Sequence, residues 1–164
     1  MTFRILPHEL IVIAVLVAGG IGVSEAADNP KQLKTSCDKG NARACGSLGF
    51  AYAQGNGVSQ DDHQSAILFR KACDGGDAPS CSRLGSMYMA GRGVKQDDFQ
   101  AVALYRKTCD GGEALGCIGL ATMYRIGRGV RQDESEALKY FGRACDLKSK
   151  VGCDAYAQLK TGKR

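Results

Sequence analysis

The cysteines stand at positions 37, 45, 73, 81, 109, 117, 145 and 153, eight residues apart within each pair and thirty-six between equivalent members, three times in succession. A fixed period of this length marks a chain built from copies of one supersecondary unit. The rest of the sequence keeps the same period. Asp61–Gln96 and Asp97–Gln132 agree at 20 of 36 positions. Their shared skeleton is Asp-Asp, Arg-Lys-x-Cys-Asp-Gly-Gly, Ala-x-x-Cys, Leu-x-x-Met-Tyr and Gly-Arg-Gly-Val. A third copy begins at Asp133 and a partial one precedes, so the units fall at about 28–60, 61–96, 97–132 and 133–160.

Each unit reads as two helices. The first opens on an acidic pair such as Asp97-Asp98, which suits the free N–H groups and positive dipole end of a helix N-terminus. Ala101, Leu104, Tyr105 and Thr108 follow at i, i+3, i+4 and i+7, an apolar stripe at helical spacing. Ser65, Leu68, Phe69 and Ala72 repeat it, as do Ala137, Tyr140, Phe141 and Ala144. Arg106-Lys107 place cations in the last turn, and Gly111-Gly112 turn the chain. A second helix over about Glu113–Ile126 buries Ala114, Cys117, Leu120, Ala121 and Tyr124. Gly49 and Gly85 stand where Ala121 does, small enough for neighbouring helices to approach closely. Gly127-Arg128-Gly129-Val130 closes the unit, with Gly127 as a left-handed cap and Val130 returning to the core. One such hairpin cannot bury its own apolar face, whereas stacked neighbours can. The expected fold is therefore all-α, a right-handed αα-hairpin solenoid of about four units. A shortened opening helix around Pro30–Ser36 and a last unit that stops after Leu159 serve as its ends.

Ahead of the array, Arg4, the apolar run Leu10–Val23 and Ser24-Glu25-Ala26 have the order of a secretory signal peptide cleaved after Ala26. The run of 14 residues is short of the ~20 that span a bilayer. Residues 1–26 are thus expected to be a signal peptide and 27–164 the repeat domain, without a membrane span and periplasmic or secreted. The remaining 21 basic and 15 acidic residues are interspersed, which argues against a nucleic-acid face.

The skeleton Ala-x-x-Leu-Tyr-Arg-Lys, Leu-x-x-Met-Tyr and Gly-x-Gly-Val resembles the Sel1-like repeat, a relative of the tetratricopeptide repeat. The Cys-x7-Cys in every unit resembles the cysteine-rich bacterial branch of that family, the Helicobacter cysteine-rich proteins. Ala121 in place of the usual glycine and the abbreviated end units are the departures. Eight cysteines allow 105 pairings. The repeat places one cysteine at the end of each first helix and its mate in the first turns of the second, so Cys37–Cys45, Cys73–Cys81, Cys109–Cys117 and Cys145–Cys153 are expected, one bond per unit. Zinc binding is the rival use, but it calls for Cys-x2–4-Cys or paired histidines. No Cys-x-x-Cys occurs and His63 is the one histidine after the leader, so no metal site and no cofactor are expected.

The same resemblance implies a penicillin-binding or slow β-lactam-hydrolysing activity. A serine β-lactamase needs Ser-x-x-Lys, Ser-Asp-Asn and Lys-Thr-Gly. Ser36-Cys37-Asp38-Lys39 and Lys160-Thr161-Gly162 fit the first and third, but the second is missing, and the two strings lie in the first and last units. The Lys-Thr-Gly string is also expected to fray with the C-terminus. No catalytic residue is assigned. In this architecture the first helices are expected to line the concave side. Their positions outside the core stripe are His63, Ile67 and Arg70, then Phe99, Ala103 and Arg106, then Ser135, Lys139 and Gly142, each set on one helical face. These positions vary between units while the core positions repeat. Phe99 with two arginines suits an extended peptide or a carboxylate-bearing tail, so the expected function is that of a monomeric scaffold for a protein or peptide partner.

Overall fold

The computed structural model describes residues 29–162; the expected leader and its cleavage point lie outside them. Among the described residues there are eight helices and no strand: α1 (Pro30–Asp38), α2 (Ala42–Gln54), α3 (Asp62–Asp74), α4 (Ala78–Ala90), α5 (Asp98–Asp110), α6 (Ala114–Ile126), α7 (Glu134–Asp146) and α8 (Lys150–Thr161). Each helix packs on the one before and the one after it, and α4 also reaches α6. This is a series of helical hairpins stacked along one direction.

Local chemistry sets each boundary. Asp61, Asp97 and Asp133 cap the first helices, accepting hydrogen bonds from the backbone N–H groups of Gln64, Gln100 and Glu136. The second acid of the pair, Asp62 or Asp98, is the first helical residue. The second helices are capped in the same way by Asn41, Asp77, Glu113 and Ser149, four residue types in one role. Glu113 therefore stands outside α6 as its cap. Gly55, Gly91, Gly127 and Gly162 end α2, α4, α6 and α8 in the left-handed conformation. Lys160-Thr161 complete the last turn of α8, with Gly162 as its cap.

Within each hairpin turn only the second of the two positions has a positive φ. Gly112 has φ +85° and Gly111 φ −74°. Lys39 and Leu147 occupy the Gly111 position in the first and last units without strain. Lys148 takes the positive-φ position of the last unit at φ 66°, a place where an L side chain is uncommon.

The four disulfides are Cys37–Cys45, Cys73–Cys81, Cys109–Cys117 and Cys145–Cys153, one in each hairpin. The closed loop is short, and the chain-entropy account assigns each bond about 2.6 kcal/mol. Between the hairpins lies the core. Tyr105, Leu120 and Met123 are fully enclosed, with Ala101 and Val102 beside them. Tyr105 also reaches back one unit, its hydroxyl 2.9 Å from Ser86 Oγ. A Cβ on Gly85 would stand 3.0 Å from the Tyr105 ring, and one on Gly49 would stand 3.1 Å from Phe69. The small residue at this position is what lets adjoining units approach. Gly119 lies closer still, and any Cβ there would land on the Tyr105 ring.

Six expected core residues are only half-buried: Leu68, Leu104, Ala114, Tyr124, Val130 and Tyr140. Ala114 is the first residue of α6, and the Tyr124 hydroxyl reaches the surface beside Arg106. Conversely Val102 and Met123 are buried although they lie outside the expected stripe. A helix held between neighbours on two sides buries a wider arc than one lying on a single surface.

The turn geometry makes a paired prediction. Gly112→Ala should lower unfolding free energy by about 1–2 kcal/mol, because its left-handed φ is retained only with strain. Gly111→Ala, at ordinary φ, should be neutral or stabilising by up to about 1 kcal/mol. Denaturant unfolding midpoints of the two variants measure the contrast, and equal losses would contradict it.

Candidate functional site

The closing loops set the shape of the outer face. In the second unit Arg92 turns back to Asp62, with its Nη2 2.6 Å and its Nε 3.1 Å from the two carboxylate oxygens. In the third unit Arg128 does the same to Asp98, and its Nη2 also donates to the Met89 carbonyl at 2.7 Å. That second bond ties the third unit to the end of α4. The glycine after each arginine is pressed against the same helix start: a Cβ on Gly93 would strike the Asp62 carbonyl, and one on Gly129 would meet that of Asp98 at 2.5 Å. Gly-Arg-Gly is therefore a clip between the end of a unit's second helix and the start of its first. Asn56 replaces the arginine in the first unit. The hydrogen bonds from Arg128 hold the Asp98 carboxyl below the usual aspartate range, against a smaller opposing effect of burial.

The expected binding positions all lie on the solvent-facing sides of the first helices. His63, Ile67, Arg70, Phe99, Ala103, Arg106, Ser135 and Lys139 are exposed, and Gly142 is half-buried. They do not form one continuous pocket. His63, Arg70 and Phe99 line a cleft of about 1230 Å³ between the second and third units, together with Tyr88, Val94 and Lys95. Ser135, Lys139 and Gly142 line a separate cleft of about 660 Å³ with Arg143, Cys145 and Tyr156. Ile67, Ala103 and Arg106 line neither cleft.

The arginines are not loose on this face. Arg70 Nη2 donates to the Tyr88 hydroxyl at 2.6 Å, and its guanidinium lies 5.9 Å from the centre of that ring. Arg106 Nη2 donates to the Tyr124 hydroxyl at 3.2 Å. Both bonds run from a first helix to the second helix of the same unit, one period apart. A tyrosine so placed fixes one edge of the guanidinium and leaves its remaining donors for a ligand. Tyr124 in turn stacks on Tyr140 of the next first helix, with centroids 5.6 Å apart and planes within 9°. His63 is anchored through Nδ1, 3.1 Å from the Gly93 carbonyl. A carbonyl oxygen only accepts, so Nδ1 is the donor in this contact. Lys139 is paired with Glu136 at 3.2 Å. Phe99 is 76% exposed and Ile67 46%.

Sequence reasoning missed Tyr88, Tyr124 and Lys95 as parts of this face. The recurring Met-Tyr pair was visible, but its tyrosine was read as core. The signal that would have found it is the fixed separation of 18 residues in Arg70–Tyr88 and Arg106–Tyr124. The serine and lysine of the β-lactamase-like strings are not brought together. Ser36 is on α1 and Lys160 on α8, helices at opposite ends of the contact order that do not pack on one another.

The Sel1 repeat family model matches residues 42–77, 78–113 and 114–149. Each match starts at a second helix, so its phase differs from the units above while its period is the same. No curated protein sequence matches. Among solved structures, a protective antigen of uropathogenic Escherichia coli with an SLR fold is 38% identical, with a TM-score of 0.71 over 76% of this chain and 27% of that one. The Helicobacter pylori cysteine rich protein B is 30% identical, with a TM-score of 0.60 over 76% of this chain and 95% of that one. A Sel1 repeat protein from Oxalobacter formigenes is 22% identical and shares the fold, with a TM-score of 0.77 over 82% of this chain and 54% of that one. The chain thus spans about a quarter of the E. coli protein and about half of the Oxalobacter one.

The clip between Arg128 and Asp98 should be visible as pH-dependent stability. Because the folded state holds the Asp98 carboxyl below its ordinary value, the contribution is complete above about 3.8 and is lost as pH falls through the lower folded value. Asp98→Asn should therefore be less stable than the parent at neutral pH, with the gap closing below about 3.8. Thermal unfolding from pH 7 to pH 2.5 checks this; a gap that is constant with pH would contradict it.

Proposed function

The chain belongs to the Sel1-repeat family, and we propose that it is an exported scaffold that binds a protein or an extended peptide along the concave face that its first helices line. Sel1 repeats serve in general as protein-interaction modules. The specific reading rests on one observation: Phe99, a large apolar side chain left three-quarters exposed, stands at the rim of a cleft that also presents Arg70, His63 and Lys95. A large exposed apolar group rimmed by polar residues marks an interaction site. Aromatic anchors flanked by arginine are the residue types that dominate binding energy at interfaces.

The chemistry of the cleft favours a ligand with an apolar side chain next to a carboxylate. The guanidinium of Arg70, held in one orientation by Tyr88, loses less freedom on binding than an unrestrained arginine would. Arg106 repeats the arrangement one unit further along, which suits an extended chain read segment by segment. Export is supported by the leader-like N-terminal sequence and by the four disulfides, which persist in oxidising compartments. No helix among the described residues is long and apolar enough to cross a membrane. The β-lactam activity implied by resemblance has no such support, since its two sequence strings lie on helices that do not meet.

Capture of partners from an envelope extract by the oxidised chain, compared with an Arg70→Ala/Arg106→Ala/Phe99→Ala variant, tests the reading. Loss of a charge-assisted hydrogen bond costs about 1.5–3 kcal/mol, so each arginine change should weaken binding of the captured partner by roughly tenfold or more. The helical circular dichroism of the variant should be unchanged. Capture that survives all three substitutions would overturn the assignment of this face. Turnover of a chromogenic β-lactam, equal in parent and variant, would favour the enzymatic alternative.

A further inference from the structure

The three closing loops share one backbone path and differ in one side chain. In each, the residue after the capping glycine donates its N–H back into the second helix: Asn56 to the Ala51 carbonyl at 2.9 Å, Arg92 to that of Met87 at 3.0 Å and Arg128 to that of Met123 at 3.2 Å. The glycine that follows has a positive φ every time, 70° at Gly57, 66° at Gly93 and 65° at Gly129. Among the described residues the N–H of this glycine makes no backbone hydrogen bond in any of the loops. Arg92 and Arg128 use the preceding position for the clip to Asp62 and Asp98. The first loop has Asn56 there, exposed and followed by an exposed Gly57. The other asparagines of the chain are Asn29 and Asn41. Both are occupied as caps, their side chains accepting the N–H groups of Lys31 and Ala44 at 3.0 Å. Asn29 is also followed by Pro30, which has no N–H. Among the described residues the side chain of Asn56 makes no such bond.

We propose that Asn56-Gly57 is a site of spontaneous covalent modification, at which the chain converts its own asparagine into aspartate and isoaspartate with water as the co-reactant. The Gly57 backbone nitrogen attacks Cγ of the Asn56 side chain. A Cγ–N bond forms, the Cγ–Nδ2 bond breaks, and ammonia leaves with the proton that the glycine nitrogen gives up. The intermediate is a cyclic imide. Water then adds to one of its two carbonyls. Cleavage of the new Cγ–N bond restores the ordinary backbone and leaves an aspartate. Cleavage of the original peptide C–N bond routes the chain through Cγ and leaves an isoaspartate. Neither oxidant nor reductant is needed. Ring closure requires an amide nitrogen that is not crowded by a side chain and not tied to a carbonyl, and asparagine is among the thermally labile residues for this reason. Gly57 meets both requirements. The product places a carboxylate on the first loop where the other two loops carry a guanidinium. A Cβ on Gly57 would stand 3.0 Å from Pro30 Cγ, so the extra backbone atom of isoaspartate enters where the loop rests on the start of α1. The first closing loop therefore changes with age, while the clipped loops do not.

The test incubates the full oxidised chain at mildly alkaline pH without denaturant, beside a reduced and denatured sample of the same chain. Peptides are read over days by mass spectrometry with electron-transfer fragmentation, which separates aspartate from isoaspartate. Because the native loop already leaves the reacting groups open, the native and denatured rates at Asn56 should agree within about threefold. Asn41, held in its cap and followed by a helical residue, should convert at least about tenfold more slowly than Asn56 in the native chain. Asn56→Gln, whose longer side chain would have to close a larger ring, should abolish the products at this position and leave the thermal midpoint unchanged. Conversion of Asn56 confined to the denatured sample would mean that the fold holds the loop against ring closure, and would overturn the proposal. Asn41 converting as fast as Asn56, or an Asn56 that stays intact in both samples, would overturn it as well.

Discussion

Everything in this molecule depends on how one hairpin seats on the next. Each unit brings two cysteines together at its turn; Ala72 and Ala144 of following first helices share the buried clusters of Cys37–Cys45 and Cys109–Cys117, and Thr108, at the same repeat position, bonds to Ser82 beside Cys81. The disulfide holds two helix ends at a fixed separation. The small residue at this repeat position makes that separation matter to the neighbour, because a larger side chain would hold the units apart. The same logic governs the other end of the contact, where Gly49 and Gly85 admit the rings of Phe69 and Tyr105. Stapling within units and close approach between units are therefore one arrangement, repeated with the period of the chain.

The closing loops extend this arrangement to the surface. Arg92 and Arg128 fold back onto Asp62 and Asp98, and Arg128 also grips the end of α4. Exposed ion pairs contribute little on their own. Here their use is geometric: they fix the path of the loop that walls the cleft beside Phe99, and the glycine next to each arginine lets that loop lie flat on a helix start. The face that the cleft opens onto is correspondingly orderly, with Arg70 and Arg106 each held by a tyrosine from the second helix. Binding surfaces gain from such ordering, since less freedom remains to be lost when a partner arrives.

The fold was legible in the sequence because its determinants repeat. The cysteine period, the Asp-Asp starts and the glycine ends each mark the same boundary in successive units, and one copy corrects the reading of another. The capping positions Asn41, Asp77, Glu113 and Ser149 were harder, because four different side chains perform one function and no period shows in their identity. The candidate face was legible only in part. Its outward positions follow from helical geometry, so His63, Arg70 and Phe99 could be placed on one side. Their partners could not, because Tyr88 and Tyr124 look like core residues until the depth of each ring is known. The burial of Val102 and Met123 depends on which neighbours stand on either side of a helix, a property of the stacked array and not of the unit.

The most direct test of this account is the disulfide map of the chain, obtained by non-reducing proteolysis and peptide mass spectrometry. The account predicts four local bonds, Cys37–Cys45, Cys73–Cys81, Cys109–Cys117 and Cys145–Cys153, each within one hairpin. A bond between cysteines of different units would contradict it, because the packing between units, the stacked array and the face built on them all require each unit to be closed on itself.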